Sequence, residues 1–563
     1  MRAELLTTIA TGRRWAVPKL RRSRRRAAKP TGAVPILGHV EKRAWGGRLA
    51  WSTAIFSLAT GLSRILGLIR EIVAAYFFGT RGAINAFTVA FQIPNLIRAI
   101  VADAALSSAF VPVFTELHEK GERERAWRVA SSLIWLLLLG LSALTALFIL
   151  LAPLIIPLFG LPASQEDLAV HLSQILFPII VLLGISGIVV GILNSYEHFT
   201  VPALTPVFWN VAIIVGLLIG VPRAGSEDAE LYVYAGSILV ATVIQLLLPL
   251  PWLAGRDGQL RAVIDWRDPA VRRVFALMLP VSLGLGLINF NAVIGVFFAS
   301  RYIDPEIAPT AIDKAFRIYM LPQGMFSVAV ATVLFPRLAR LAARADMDEF
   351  RHTVSLGLRQ IGFLLIPASA IFAVLAHPIV RLLYERGDFE PDQTPVVANA
   401  LAAFSLGLVF NGAMLMMNRA FFSLQAPWTP TVLALGNLAL NTVLNFGLYR
   451  VGTWGIPLAT SIANIVGTVL LLIVLRRRLG SIEFGETASS GIRVLLASVP
   501  LAAISYLVWR VLDEALGRSF GDQVLSLGSA FFAGVAVYLI SARLLRVREL
   551  DALLTLRSAF RRA

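Results

Sequence analysis

The chain has 563 residues, 57% of them hydrophobic and only 15% charged, with a mean hydropathy of +0.74, which excludes an ordinary soluble globular protein. Its net charge of +17 is not read as affinity for nucleic acid, because residues 1–49 hold 13 Lys and Arg against two acids and so carry +11 of it. Cysteine is absent, which removes disulfides, thiolate metal sites and cysteine nucleophiles.

Residues 1–49 read as a basic cytoplasmic tail, most simply a positive-inside anchor that touches anionic lipid; a partner-binding or export signal is the sharper alternative. No cleavable signal peptide is expected, since the first long apolar run begins only near Trp51. From about Leu49 to about Leu545, apolar runs of roughly 18 or more residues recur. A helix needs about 20 such residues to cross the hydrocarbon core. The expectation is an all-α integral membrane protein of about fourteen transmembrane helices. The loops after spans two, six, eight and twelve and both tails are rich in Arg, so they and both termini are assigned to the cytoplasm. The loops around 159–171, 221–232 and 385–395 are acidic or poor in basic residues and face outside.

Span one carries Arg64 near its middle and Arg70 with Glu71 further along; span two carries Arg98 and Asp103 between Pro94 and Pro112. Arg317 follows Lys314 in span eight, ahead of Pro322. An ion at bilayer depth costs about 2.5–3.5 kcal/mol on insertion scales, so these charges call for a shared wet interior. Arg64 and Glu71, at i and i+7, point the same way along a helix, whereas Arg70 is turned by about 120°. Structural pairing of Arg64 with Glu71, pairing of Arg98 with Asp103 or Glu71, and snorkelling of Arg317 are the competing readings. Against them stands the sign: arginines outnumber acids at depth, and a planar guanidinium fork suits a diphosphate or carboxylate. An anionic substrate is expected at Arg64, Arg70, Glu71, Arg98, Asp103 and Arg317.

Asparagines form a second polar set. Asn85 and Asn95 lie in span two, Asn289 and Asn291 in span seven, and Asn437, Asn441 and Asn445 at i, i+4 and i+8 on one face of span eleven. Interhelical hydrogen bonding is their default role; Asn85, Asn95, Asn289, Asn437 and Asn441 are carried as secondary polar contacts of the site. The six histidines show no metal spacing, and neither a nucleophile elbow nor a phosphate loop is present. No catalytic constellation, metal or cofactor is expected.

Proline-punctuated segments echo each other. FVPVFTEL resembles LFPRLARL, and HFTVPALTPVFWN resembles SLQAPWTPTVLALGN one six-helix unit later. The division predicted from this is a tail at 1–49, a first six-helix lobe at 50–256, a second at 257–480, two further helices at 481–546 and a basic tail at 547–563. The two lobes would be pseudo-symmetric around a central cavity.

GLSRILGLIREIVAAYFFG, followed by NAFTVAFQIPNLIRAIVADAALSSAFVPVFTEL and by GILNSYEHFTVPALTPVFWN, resembles the MurJ/MviN family of lipid II flippases, within the multidrug/oligosaccharidyl-lipid/polysaccharide exporter superfamily. The likeness covers roughly residues 52–480. It implies a V-shaped pair of lobes around a cationic cavity, alternating access, and a groove for the undecaprenyl tail on the last two helices. The family's key arginines fall on Arg64, Arg70, Arg98 and Arg317 and its acids on Glu71 and Asp103. The implied partners are lipid II and membrane lipids, with cell wall synthesis proteins as further candidates, and the implied drive is the membrane potential or a monovalent ion. The chain departs from the family pattern at Asn85, where the family reads D-A-F, at Ala99, where a second basic residue is usual, and at Ala426, Pro427 and Trp428, where an acid is usual. Export of another polyprenyl-linked glycan or an amphipathic drug, and a non-transporting scaffold for wall enzymes, are the alternative functions.

Overall fold

The structure is a computed structural model and describes residues 38–101, 104–480 and 483–550. The chain divides into two compact units, Met1–Thr53 and Ala54–Ala563, and the second holds every helix below from residue 54 of the first onward. No strand occurs among the described residues. In chain order the helices are α1 (Gly38–Phe78), α2 (Ile84–Val101), α3 (Ala104–Glu119), α4 (Arg123–Ile155), α5 (Ala163–Leu176), α6 (Ile179–Ser195), α7 (Thr200–Gly220), α8 (Glu227–Leu247), α9 (Pro269–Phe298), α10 (Ala308–Pro322), α11 (Val328–Ala343), α12 (Met347–Tyr384), α13 (Gln393–Ser405), α14 (Leu408–Ser423), α15 (Trp428–Leu448), α16 (Gly455–Leu479), α17 (Phe484–Leu516) and α18 (Phe520–Leu544).

Among the described residues ten helical runs are long and apolar enough to cross a membrane, or eleven if the α13–α14 pair, bent by 45°, is one span. The expected fourteen are not reached on that criterion. One reason is that α1 packs Arg64, Arg70 and Glu71 into about two turns. Another is that the second span is described as two pieces, α2 and α3, on either side of residues 102–103. The apolar window of Trp428–Val451 is only 11% buried within the protein, and Leu150 and Leu544 are 75% and 77% exposed, as a surface facing hydrocarbon requires.

Local chemistry sets where the helices start and bend. Asp268 caps α9 by accepting from Ala270 N (2.7 Å), with Pro269 in the first turn, where its missing N–H costs nothing. Ser519 and Asp522 form a reciprocal capping box at the start of α18. Pro178 separates α5 from α6, and Pro322 passes α10 into a π-helical turn, Gln323–Ser327, before α11.

Three apolar cores result. One runs from α1 through α9 around Phe110, Leu133, Phe177 and Ile192; a second joins α10–α16 around Tyr319, Phe350, Tyr384 and Phe421. The third seats the α17–α18 hairpin on α12 through Phe363, Leu375, Leu501 and Tyr538. Tyr538 donates to Phe363 O (2.7 Å), and ion pairs Arg359–Glu486 (2.7 Å) and Arg381–Asp513 fasten α12 to α17 near each end.

Candidate functional site

Glu71 on α1 is the centre of a buried ionic cluster. Its Oε1 accepts from Arg70 Nη2 (2.6 Å) and its Oε2 from Lys314 Nζ (2.9 Å), while Lys314 Nζ also donates to Glu71 O (3.2 Å). The Lys314 and Glu71 side chains are only 6% and 7% exposed. Arg317 Nε lies 3.8 Å from Glu71 Oε1 and donates to Asp313 one turn earlier on α10 (3.2 Å); its side chain is 38% exposed. The cluster therefore joins α1 to α10 across 243 positions of sequence.

Neighbouring helices hold these cations in place. Arg70 Nη1 donates to Asn210 Oδ1 on α7 (3.2 Å), its guanidinium sits 4.9 Å from the Trp209 ring, and Asn210 turns its own amide to Pro206 O (2.9 Å) and Ser63 O (3.3 Å). Arg70 Nε is buried without a hydrogen-bond partner among the described residues. Lys314 Nζ is 5.8 Å from the Tyr384 ring, and Tyr384 OH donates to Lys314 O (3.4 Å). Arg64 lies against Gly324 in the π turn, where any Cβ would collide with its guanidinium.

Of the residues predicted for the site, Arg70, Glu71 and Arg317 are thus brought together, with Arg64 against α10's π turn. Arg98 donates to Asn95 Oδ1 from Nε (3.2 Å) and Nη2 (2.8 Å) on its own helix. Asp103 lies outside the described residues, as do residues 1–37 and 551–563 of the two tails. Arg70, turned by about 120° on the helical wheel, nevertheless meets Glu71, because both side chains are long enough to curl round the helix, and Glu71 is shared by Arg70 and Lys314. Asn441 and Asn445 behave as interhelical linkers, Asn445 donating to Asn441 Oδ1 (2.9 Å) and Asn441 to Thr460 Oγ1 on α16 (3.2 Å). Asn437 approaches Gly467 of the same neighbour, and Asn289 is half-buried on α9. Lys314, Asp313, Asn210 and Trp209 were not singled out from sequence; the i, i+4 spacing of Asp313 and Arg317 was the available signal.

Asn85 is fully buried and engaged elsewhere, in a seam at the end of the bundle that carries the α1–α2, α9–α10 and α12–α13 loops. Its Nδ2 donates to Thr80 O (3.0 Å), Gly82 O (3.1 Å) and Glu306 O, and its Oδ1 accepts from Thr310 N (3.0 Å). Thr80 N and Oγ1 donate to Gln393 Oε1 (2.7 and 2.8 Å), Asp388 N donates to Tyr76 O (2.9 Å), and Arg81 pairs with Asp392 (2.8 Å). Gly79 and Gly387, at φ +56° and +60°, let the two backbones touch: a Cβ on either would strike the other loop's carbonyl. The ionic cluster lies beneath a closed end.

The family profile described as "Lipid II flippase MurJ" matches residues 74–521. The chain belongs to the MurJ lipid II flippase family. The "Probable lipid II flippase MurJ" of Vibrio cholerae is 31% identical over 519 residues, covering 90% of this chain and 97% of that protein. The "Lipid II flippase MurJ" of Burkholderia cenocepacia is 30% identical over 431 residues, covering 74% and 82%. A solved MurJ in an inward closed conformation superposes with a TM-score of 0.72 at 25% identity, covering 87% of this chain and 98% of that one. An inward-facing multidrug resistance transporter of the MATE family shares the fold alone, at a TM-score of 0.64 and 15% identity, over 75% of this chain and 95% of its own. Membership of the MurJ family together with the apolar helices makes this a multi-pass protein of the bacterial inner membrane.

Proposed function

We propose that this chain moves lipid II, the cargo named for its relatives, from the inner to the outer leaflet by alternating access, and catalyses no covalent change. The observation that carries the reading is the cluster on α1 and α10. Arg70, Lys314 and Arg317 there face Glu71 and Asp313, a surplus of one positive charge, and Arg64 adds another cation against the π turn that follows α10. Such a surplus is complemented by a diphosphate, whose oxygens match guanidinium forks. Glu71 and Asp313 act as resident counter-ions, so the cations stay paired between cargoes.

Arg98 and Asn95 would meet the head group from α2, and the α17–α18 hairpin within 481–546 would guide the polyprenyl tail. The lobes are 50–256 and 257–480. With the basic loops in the cytoplasm, both termini are cytoplasmic, and the seam of Asn85 and Thr310 is the outer gate. Because a net positive site changes leaflet access, the membrane potential or a monovalent ion is the proposed drive.

The test is the fraction of lipid II reachable by an externally added lipid II-cleaving enzyme in cells depleted of the protein. Exposure is expected to fall on depletion, return with the wild type, and fail to return with well-expressed Arg317→Ala or Arg98→Ala. Exposure that never changes on depletion overturns the proposal and turns attention to other polyprenyl-linked glycans.

A further inference from the structure

α12 is a helix with a break inside it. Leu375 has φ −108° and ψ 15°, outside helical geometry, and Pro378 follows it within one turn. Pro378 has no N–H to offer Val374 O, and its ring crowds that carbonyl. Pro367, earlier in the same helix, leaves its neighbours helical, so the break belongs to the step 374–378. α12 is thus a long half, 347–374, and a short half, 376–384, joined at a hinge.

The short half leads from the ionic cluster into the seam. Ala376, Val380 and Tyr384, at i, i+4 and i+8, are buried in the second core, and Tyr384 OH donates to Lys314 O (3.4 Å). The chain then enters the seam at once. Glu385 accepts from Thr394 Oγ1 (2.6 Å), Gly387 lies against Tyr76, and Asp388 N donates to Tyr76 O (2.9 Å). A turn about 374–378 therefore carries loop 385–392 towards or away from the α1–α2 loop.

The α17–α18 hairpin lies across this hinge. Apart from grazing contacts it rests on α12 alone among the helices. On the long half, Arg359 pairs with Glu486 and Tyr538 donates to Phe363 O. At the hinge, Leu375 is buried in one core with Val494, Ala497 and Leu501 of α17. On the short half, Arg381 grips Asp513 with both arms of its fork, Nη2 on Oδ1 and Nη1 on Oδ2 (3.1 Å), and the two side chains are only 6% and 17% exposed. Just beyond, the Arg386 guanidinium sits 4.5 Å from the Phe520 ring at the start of α18. A partner fastened on both sides of a hinge sets its angle.

We propose that Arg381 and Asp513 are positioning residues for transport: the hairpin splints α12, and this pair, seconded by Arg386 on Phe520, holds the short half and loop 385–392 where they close the seam. Opening turns the short half about 374–378 and releases Asp513 from the fork. The inference rests on the reading of the seam as the outer gate, and its test separates the two.

The chain has no cysteine, so a single one reports on the seam. Thr310 is 2% exposed and hydrogen-bonded to Thr88 (2.8 Å) beneath the loops, so Thr310→Cys in the full-length protein is reached from outside when the seam opens. Its rate of modification by a membrane-impermeant thiosulfonate is measured in spheroplasts. Adding Asp513→Ala is expected to raise that rate about fivefold or more, the lower end of coupling between two sites, whereas Asp513→Glu stays close to the Thr310→Cys background. Arg386→Gln, a milder loss on the same half, is expected to shift the rate in the same direction and decides the matter if Asp513→Ala does not accumulate. The control is Glu486→Gln with Tyr538→Phe, which loosens the hairpin from the long half and is expected to leave the rate unchanged. Equal rates in all backgrounds overturn the proposal, and an equal rise in the control overturns it in favour of a general loosening. Modification of Thr310→Cys from the cytoplasmic side alone, in inverted vesicles, overturns the outer-gate reading and the proposal with it.

Discussion

Lys314→Met is the most informative substitution in the cluster. The change keeps chain length and apolar bulk but removes the ammonium 2.9 Å from Glu71 Oε2 and 3.2 Å from Glu71 O. Removing one partner of a buried ion pair costs about 3–5 kcal/mol, because the remaining charge is left uncompensated. Here Glu71 retains Arg70 at 2.6 Å, which argues for the lower end, about 3 kcal/mol. At about 1.4 kcal/mol per decade this is a loss of more than a hundredfold in the folding equilibrium. Arg317→Met is the control. Its guanidinium is 3.8 Å from Glu71 and 38% exposed, so screening limits its contribution to about 1 kcal/mol or less. Both are measured by reversible unfolding in mixed micelles of increasing SDS, followed by tryptophan fluorescence, and completed as a double-mutant cycle with Glu71→Gln. A coupling between positions 71 and 314 well above about 0.5 kcal/mol is expected. Additivity within that margin, or a Lys314→Met effect no larger than that of Arg317→Met, would refute the central place given to the lysine.

Two further changes probe the ends of the bundle. Asn85→Asp keeps the side chain's shape but removes the donor shared by Thr80 O, Gly82 O and Glu306 O, at a cost of about 1–3 kcal/mol to the seam. The crosslinking yield between Arg81→Cys and Asp392→Cys is expected to drop in this background, and an unchanged yield would show that Asn85 does not hold the seam. At the other end, burial alone would raise the Asp257 carboxyl, but hydrogen bonds from Tyr196 and His118 outweigh it and hold the group below its ordinary value. A lowered carboxylate stabilises above the unfolded value of about 3.9 and loses that contribution only as pH falls through the folded one. Hydrogen-exchange protection of amides 256–268 should therefore stay level from neutral pH down to about 4 and drop below it; loss of protection between pH 7 and 5 would refute the role given to the Asp257 carboxylate.

The all-helical membrane architecture was legible because an apolar run long enough to span a bilayer has few other uses. The charges at depth were legible for the same reason, since Arg64, Arg70, Arg98 and Arg317 stand out in apolar sequence. What could not be read was who meets whom. Lys314 was visible as the neighbour of Arg317, but its partner lies 243 residues away, and hydrophobic periodicity carries no information about which helices touch. Asn210, in an apolar stretch, looked like any interhelical asparagine until Arg70 was found against it and stacked on Trp209. Helical-wheel angles separated Arg70 from Glu71, yet such angles place Cβ atoms, and the ends of long side chains reach well beyond them. The seam was the least accessible feature. Asn85 read as a departure from the family pattern and as a secondary polar contact of the site; in place it ties the α1–α2 loop to the α9–α10 loop, because a carboxamide donates where a carboxylate cannot. The same residue that lacks the expected charge supplies a donor to the seam, and the two effects are separable only once the Glu306 loop is seen to meet Asn85 and Gln393 to meet its neighbour Thr80.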